Sequence, residues 1–199
     1  VDPQYQLTFG RGGRLLCTTD GAEMDRRVAE LSPADAGAFP RWLADNRRKL
    51  ALLKPALMMP FLSRRDLLRA RSIRALRAAI PFTSMYRYLQ RFFDDDRIAI
   101  ALSFQSKYLG MSPFRCPSLF SILAFLEYEY GVFHPIGGCG GLMRTMARIA
   151  EDLGAEIRLN DPVAEIGIRG RRAVSLQAAS GIRDVDAVVV NADFAYSMM

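Results

Sequence analysis

Two short stretches of extended character open the chain, residues 6–9 and 15–18, and Gly10-Arg11-Gly12-Gly13 separates them. Glycine adopts the positive φ of a tight turn without a steric penalty, so this pattern predicts a β-hairpin. From Ser32 onward, apolar residues are spaced by three and four. A serine N-cap followed by proline predicts that a helix starts there.

Helical spacing continues to about residue 130. Pro55 and Pro60 are expected to break the apolar run in which they lie. Between residues 64 and 91 arginines alternate with apolar residues, which is typical of amphipathic helices. Three aspartates supply an N-cap for a predicted helix over about 94–108. A nearly all-apolar helix is predicted over 118–130, and such a helix is expected to be buried.

The pattern changes after Gly131. A helix with one apolar face is predicted to end at Gly154, and the residues of that face are Leu142, Met143, Met146, Ile149 and Leu153. Strands are then predicted around residues 157–159, 163–168, 173–177, 182–185 and 187–190. The last of these is a continuous β-branched run, which is typical of a strand buried on both faces of a parallel sheet.

Length and composition limit the classes of protein that the chain can belong to. Its 199 residues, half of them hydrophobic, are enough for one domain or for one domain with part of a second. No apolar stretch reaches the roughly 18 to 20 residues of a membrane-spanning helix. Three cysteines at unrelated spacings and a start without a signal-sequence pattern favour an intracellular protein. The net charge of +6 is compatible with a protein that binds nucleic acid, a protein that binds an anionic membrane, or a protein from an arginine-rich proteome.

The chain contains a single histidine, His134. A Ser/His/Asp or Cys/His catalytic arrangement, or a multi-histidine metal site, therefore cannot be assembled within it, and we predict no metal site. A lone histidine beside a glycine run is more often structural than catalytic. The catalytic residues stay unassigned.

The run Gly137-Gly138-Cys139-Gly140-Gly141 precedes the predicted amphipathic helix. Main chain without side chains can approach a ligand closely, and the free N–H groups of a helix start can face negative charge. The run matches neither Gly-x-Gly-x-x-Gly nor a P-loop. By itself it is either a plain connecting turn or a ligand contact.

Read together with its surroundings, this run resembles the central passage of phytoene desaturases, which are FAD-dependent, amine-oxidase-like enzymes. The matching segments, in chain order, are Ala101–Gly110, Ser112-Pro113-Phe114, Phe133–Leu142, Glu151–Ala155, Glu156–Val163 and Val189–Asp193. An ordered set of such segments is far more specific than any one of them.

The resemblance implies an α+β fold in which a largely helical substrate domain is inserted into part of an FAD-binding α/β (Rossmann-like) domain. Residues 1–19 would begin the substrate-domain sheet, 20–130 would form the helical substrate domain, and 131–199 would return to an incomplete FAD-binding domain. On this view the chain is an internal fragment without the N-terminal and C-terminal FAD segments. We expect it to be inactive by itself and unable to retain FAD.

The resemblance also implies roles for particular residues. Gly137 and Gly138 would lie near the flavin, the Val163 main chain would meet the adenine, and Asn191-Ala192-Asp193 would end a strand beside the cofactor. The parent enzyme would remove hydrogen from a long apolar polyene such as phytoene, with FAD accepting a hydride. Candidate substrate-lining residues are Phe104, Tyr108, Phe114, Phe120 and Phe125.

The implied substrate dissolves in lipid, so a cluster of arginines among apolar residues is a candidate membrane-binding surface. The alternative interpretation is a solvated helix face. The arginines concerned are Arg64, Arg65, Arg69, Arg71, Arg74 and Arg77. We expect a cytoplasmic protein, peripheral on the inner face of the cell membrane. Two other function classes stay open: a related amine oxidase, polyene isomerase or retinol saturase, and a basic nucleic-acid-binding module.

Overall fold

The predicted β-hairpin opens the first of two units, Val1–His134 and Pro135–Met199. The computed structural model describes residues 1–60, 63, 65, 66, 73 and 83–197. Strand β1 (Tyr5–Thr8) pairs antiparallel with β2 (Arg14–Cys17). Gly12 and Gly13 both have positive φ in the turn between them. The hairpin prediction is confirmed.

The remaining elements described in the first unit are helical. The α-helices are α1 (Gly21–Leu31), α2 (Ala38–Leu57), α3 (Met85–Leu89), α4 (Asp96–Leu102) and α5 (Ser121–Tyr130). Short 3₁₀ helices cover Pro33–Asp35, Phe104–Leu109 and Ser118–Phe120. The helices predicted over 94–108 and 118–130 are thus confirmed, each with one 3₁₀ part.

Two predictions for the region from Ser32 to Pro60 need correction. The helix predicted from Ser32 is a single 3₁₀ turn, and α2 starts only after Gly37, whose φ of 76° breaks the helical path. Pro55 does not break α2, which runs through it to Leu57. Proline removes one hydrogen bond near the end of this helix, and burial of the flanking Leu53 and Ala56 against Leu119 and Ile122 holds the last turns in place. Pro60 does lie beyond the helix end, as predicted.

A large apolar core lies within the described part of the first unit. The largest fully buried side chains include Trp42, Tyr88, Phe39, Phe93 and Phe125. The Phe39 and Trp42 rings each meet the Tyr128 ring edge-on, at centroid distances of 5.3 and 5.9 Å. The expected burial of α5 is therefore confirmed on the face that carries Phe125 and Tyr128.

The second unit combines one long helix with a small sheet. Helix α6 (Gly138–Asp152) ends before Gly154, whose φ of 94° stops it as predicted. Three antiparallel strands follow in the order β3-β4-β5, namely β3 (Val163–Arg169), β4 (Arg172–Ala178) and β5 (Gly181–Asp184). A single turn of helix, α7 (Phe194–Ser197), closes the described chain. Helices and small antiparallel sheets in separate stretches confirm the α+β class.

Two predicted strands of this unit are wrong. Residues 157–159 and 187–190 have no strand structure, and Val189 is 93% exposed. A strand forms only where a neighbouring strand accepts its hydrogen bonds, and neither stretch joins the sheet β3-β4-β5. None of the residues described between 135 and 197 is buried.

Across the part of the chain that is described, no helix has both the length and the apolar character needed to cross a lipid bilayer.

Candidate functional site

The glycine run forms the start of α6. This helix begins at Gly138, so most of the run is helical first turn, where the sequence had predicted a loop ahead of the helix. Gly137 and Gly138 have φ values of 82° and 72°, which residues with side chains rarely adopt. No heavy atom lies within 4 Å of the place where a Cβ on Gly138 would stand. The backbone is therefore open to a ligand at this point.

Arg144, which the sequence reasoning did not single out, lies next to this helix start. A Cβ added to Gly140 would stand 3.4 Å from its Nη1, and one added to Gly141 would stand 3.9 Å from its Nη2. The guanidinium thus adds positive charge beside the first turn of the helix, an arrangement that suits an anionic group. Arg144 could have been found from the sequence by its spacing of four from Gly140, because residues four apart lie on the same face of a helix.

Val163 is the first residue of β3, an edge strand of the three-stranded sheet. It pairs with Ala178, and the register shifts between Val163 and Glu165. An edge strand leaves main-chain N–H and C=O groups unpaired on one side, and Val163 is 52% exposed. The contact between the Val163 main chain and an adenine stays a prediction.

Asn191, Ala192 and Asp193 are exposed and lie just before α7. The Asp193 carboxylate accepts hydrogen bonds from the main-chain N–H groups of Ala195 at 2.9 Å and Tyr196 at 3.2 Å. This carboxylate therefore caps α7. The three groups of predicted cofactor residues lie on separate elements: the start of α6, the start of β3 and the segment before α7.

The candidate substrate-lining aromatics fall into two sets. Phe104, Tyr108 and Phe114 expose 37%, 61% and 58% of their surface. Phe120 is half-buried against the core, and Phe125 lies within the core with no exposed surface. Only the first set presents substantial aromatic surface to a ligand.

A chain of hydrogen-bonded, mostly partly buried polar groups begins behind the exposed rings. The Glu127 carboxylate accepts hydrogen bonds from Gln105 Nε2 at 2.6 Å and from the Tyr108 hydroxyl at 3.2 Å. Gln105 also donates to the Tyr5 hydroxyl, which lies 3.0 Å from that of Tyr128. Burial raises the pKa of both tyrosines above the ordinary value. Both phenols stay protonated at neutral pH, so neither of them supplies a base.

The thiols and the histidine offer no obvious nucleophile. Burial raises the pKa of the Cys17 and Cys116 thiols, which disfavours the reactive thiolate. Cys139 and His134 are both exposed. The described residues contain no group of three His, Cys, Asp or Glu side chains that could hold a metal ion.

Of the six arginines of the predicted membrane surface, only Arg65 is among the described residues, and it is exposed. Arg64, Arg69, Arg71, Arg74 and Arg77 lie outside them. The candidate membrane surface therefore stays a prediction from the sequence.

Comparison with known proteins identifies the family of this chain. The sequence pattern of the family of flavin containing amine oxidoreductases matches residues 3–196. The chain belongs to this family. It is 35% identical over 99% of its length to an all-trans-zeta-carotene desaturase of Myxococcus xanthus, and 35% identical over 97% to a lycopene-forming phytoene desaturase of Pseudescherichia vulneris. It is also 30% identical over its whole length to a 4,4'-diapophytoene desaturase of a Methylomonas species.

These matches confirm the resemblance to the phytoene desaturases. The chain spans 37% to 39% of the length of the three relatives. The family assignment implies a flavin in the whole protein. The residues fit such a group in part, because the start of α6 combines open glycine backbone with the Arg144 guanidinium, and the edge strand β3 presents free main-chain groups.

Proposed function

We propose that this chain is the substrate-domain part of an FAD-dependent oxidoreductase that desaturates a long apolar polyene such as phytoene. The observation that carries the proposal is the match of nearly the whole chain to several carotenoid desaturases. In the parent enzyme, FAD would accept a hydride from one of two adjacent saturated carbons of the polyene, and the other carbon would lose a proton to solvent as the double bond forms. The cofactor supplies this redox chemistry when it is bound.

In this proposal the second unit contributes part of the cofactor site. Gly137 and Gly138 give a close approach for the ligand, with Arg144 beside them, and the main chain at Val163 meets the adenine. Asn191-Ala192-Asp193 complete this side of the site. The exposed backbone and the positive charge at the start of α6 support these roles.

The first unit would be the helical insertion that receives the polyene. Such a substrate has no charge and few polar groups, so apolar walls serve it better than an acid–base pair. Phe104, Tyr108 and Phe114 have the exposed aromatic surface for this contact, and Phe120 has some. We leave Phe125 out because its whole side chain is buried in the core.

A chimaera tests the reaction directly. Residues 3–196 would replace the matching part of the Myxococcus all-trans-zeta-carotene desaturase. The purified chimaeric protein would then be incubated with phytoene and, separately, with zeta-carotene. We expect a flavin-containing protein that forms products with longer conjugation, seen as a red shift in their absorbance. A chimaera that holds stoichiometric flavin but oxidises amines or isomerises the polyene instead would overturn the proposal.

The same proposal predicts that the 199-residue chain does not retain FAD. Titration with FAD, followed by flavin fluorescence and by absorbance after gel filtration, should show no stoichiometric complex. The chimaera serves as the positive control because it contains the remaining cofactor segments. Tight one-to-one binding by the isolated chain would contradict the assignment of these residues to only part of the site.

We also propose that the parent enzyme is peripheral on the inner face of the cell membrane, with the six arginines between Arg64 and Arg77 facing anionic lipid. Each basic residue near such a surface contributes about 1 kcal/mol. The chain should therefore float with acidic vesicles at low salt. Equal recovery with neutral vesicles, or in high salt, would remove the electrostatic part of this proposal.

A further inference from the structure

Side chains that are readily oxidised connect the core of the first unit to its surface. Tryptophan and tyrosine have the aromatic rings that lose one electron most readily, and the chain has a single tryptophan, Trp42, which is fully buried. Its ring meets that of Tyr128 at a centroid distance of 5.9 Å. The Tyr128 hydroxyl lies 3.0 Å from the Tyr5 hydroxyl. The three rings are therefore neighbours along one line that starts in the core.

Hydrogen bonds continue this line to an exposed tyrosine. Gln105 Nε2 donates to the Tyr5 hydroxyl at 3.2 Å and to the Glu127 carboxylate at 2.6 Å. The other oxygen of that carboxylate accepts the hydroxyl of Tyr108 at 3.2 Å, and Tyr108 is 61% exposed. Three hydrogen bonds thus join the partly buried Tyr5 to a phenol that solvent reaches. We call the four aromatic residues the aromatic pathway, namely Trp42, Tyr128, Tyr5 and Tyr108.

The two ends of the aromatic pathway differ in their proton acceptors. An oxidised tyrosine is a strong acid, and a base that takes its proton must lie within hydrogen-bond reach. At Tyr108 the Glu127 carboxylate meets this condition. The indole Nε1 of Trp42 is buried and has no hydrogen-bond partner among the described residues. Oxidised Trp42 therefore keeps its proton and stays a strong oxidant, whereas Tyr108 is the easier group to oxidise.

A second tyrosine of the core also donates to a carboxylate. The Tyr88 hydroxyl donates to Asp45 at 2.7 Å, and the Lys49 ammonium lies 3.4 Å from the centroid of the Tyr88 ring. The same ammonium pairs with the Asp45 carboxylate at 2.9 Å. A cation over the ring opposes the loss of an electron, and a cation beside the carboxylate makes it a weaker base. Tyr88 is therefore a less favourable end point than Tyr108.

We propose that the aromatic pathway carries a one-electron oxidising equivalent from Trp42 to Tyr108. An oxygen-centred radical of the alkoxyl type would take one electron from Trp42 and one proton from solvent, which gives an alcohol and the indole radical cation. Tyr108 then supplies one electron to Trp42 along the pathway, and its hydroxyl proton moves to Glu127. Trp42 is restored, and Tyr108 becomes a neutral radical beside a protonated carboxyl group. The inference goes beyond the proposed function and requires neither the cofactor nor the polyene.

Laser photoionisation tests the proposal on the 199-residue chain, because light absorbed by tryptophan alone oxidises one residue of known position. Transient absorption distinguishes the tryptophan radical from the tyrosyl radical. We expect the first to decay and the second to rise with the same rate constant at every protein concentration. Absence of a tyrosyl signal would overturn the proposal. A rate constant that grows with protein concentration would also overturn it, since the transfer would then occur between molecules.

Variants from tyrosine to phenylalanine locate the route, because they keep the ring and remove the hydroxyl without which it is not oxidised. Tyr128→Phe should slow the decay of the tryptophan radical several-fold, and Tyr108→Phe should remove most of the tyrosyl signal. Tyr130→Phe is the matched control, because Tyr130 is also 61% exposed but donates to no carboxylate among the described residues. No loss in Tyr108→Phe, or an equal loss in Tyr130→Phe, contradicts the proposed end point. Loss of the signal in Tyr88→Phe alone would move the end point to Tyr88 and refute the proposal.

Glu127→Gln isolates the proton acceptor. The amide oxygen still accepts the Tyr108 hydroxyl but does not take its proton, so the tyrosyl yield should fall several-fold and the tryptophan radical should persist. Heavy water should slow the transfer in the unchanged chain, which a purely structural role of Glu127 does not explain. Near-ultraviolet circular dichroism checks that each variant is folded, and Tyr5→Phe replaces Tyr128→Phe if the latter is not. A full tyrosyl yield in folded Glu127→Gln would show that the direction of transfer is not set by this carboxylate.

Discussion

Asp35 is a buried carboxylate that fixes the entry to α4. Only 1% of the residue is exposed, and its oxygens accept the main-chain N–H groups of Asp94 at 2.6 Å and Asp95 at 3.0 Å. Asp35→Ala leaves both donors without their partner, at about 1–3 kcal/mol for each unsatisfied group. We expect the free energy of unfolding, measured by chemical denaturation, to fall by about 2–6 kcal/mol.

Asp94→Ala is the matched control, since it removes an exposed carboxylate from the same turn. Its effect should stay within about 0.5 kcal/mol. Asp35→Asn keeps one acceptor oxygen and should have an intermediate effect. A loss in Asp35→Ala no larger than that in Asp94→Ala would show that the two hydrogen bonds do not stabilise the fold.

Two buried tyrosines, Tyr88 and Tyr128, and the partly buried Tyr5 make the stability of the first unit depend on alkaline pH. Burial is the main cause that raises the pKa of each phenol above the ordinary value. The unfolded chain ionises these phenols at about pH 10, whereas the folded chain holds them neutral. Their contribution to stability is therefore complete below about pH 10 and is lost as the pH rises further.

An alkaline titration checks this expectation. It follows phenolate absorbance and near-ultraviolet circular dichroism in the same experiment. Part of the phenolate signal should appear only as the tertiary signal disappears, whereas in concentrated guanidinium all tyrosines should titrate near pH 10. Tyr88→Phe should make the decline of the unfolding free energy above pH 10 shallower. Complete phenolate formation in the folded chain would contradict the burial of these groups.

The sequence predicts which types of residue line a site more readily than it predicts whether each residue is exposed or buried. Phe114 and Phe125 were equivalent candidates in the sequence, because both were chosen only as aromatic residues of the predicted substrate domain. Their exposed fractions of 58% and 0% depend on which elements pack over them. Arg144 was missed for the same reason, since its proximity to Gly140 appears only once the glycine run is known to be helical.

Among the elements, α4 is tied to its surroundings by the residues of its first turn. The Asp95 side chain accepts the Arg97 N–H at 2.8 Å as the N-cap and also binds the Arg97 guanidinium. Arg97 in turn donates to the carbonyl oxygens of Gly12 at 3.0 Å and Leu31 at 3.0 Å. The β-hairpin turn, the end of α1 and the start of α4 therefore meet at one side chain.

We expect Asp95→Ala to destabilise the chain by more than a simple N-cap loss, which costs about 1 kcal/mol. Asp20→Ala provides the comparison, because Asp20 caps α1 through the N–H groups of Ala22 and Glu23 and has no guanidinium partner among the hydrogen bonds described. Chemical denaturation should show a larger decrease in the free energy of unfolding for Asp95→Ala than for Asp20→Ala. Equal losses would show that orienting Arg97 adds nothing to the cap.

Elements defined by local signals could be predicted, and those that depend on distant partners could not. The hairpin at residues 5–17 and the strands β3 to β5 follow from turns between neighbouring segments. The run at 187–190 has the composition of a buried strand but lies outside the sheet β3-β4-β5. Pro55 illustrates the reverse case, because packing from other elements keeps α2 intact where the local rule predicts an end.

At the scale of the whole molecule, the two units differ in how much of their apolar side-chain surface is buried. The first has a continuous core from the hairpin through α5. In the second, the apolar face of α6 stays exposed, with Met143 at 53% and Met146 at 56%. Since an amphipathic helix is stable in a protein chiefly through the burial of such a face, the second unit has the surface of an unfinished domain.

This difference predicts unequal protection from amide hydrogen exchange. In the 199-residue chain, amides of β3 to β5 should exchange orders of magnitude faster than those of α5, because no described residue of the second unit is buried and local opening there costs little. In the chimaera with the Myxococcus desaturase, the flanking flavin-domain sequence should cover α6 and slow exchange in β3 to β5, while α5 changes little. Mass spectrometry of peptic peptides from both proteins measures this directly. If β3 to β5 were as protected in the isolated chain as in the chimaera, the second unit would be complete by itself, and its assignment to part of a larger flavin domain would be wrong.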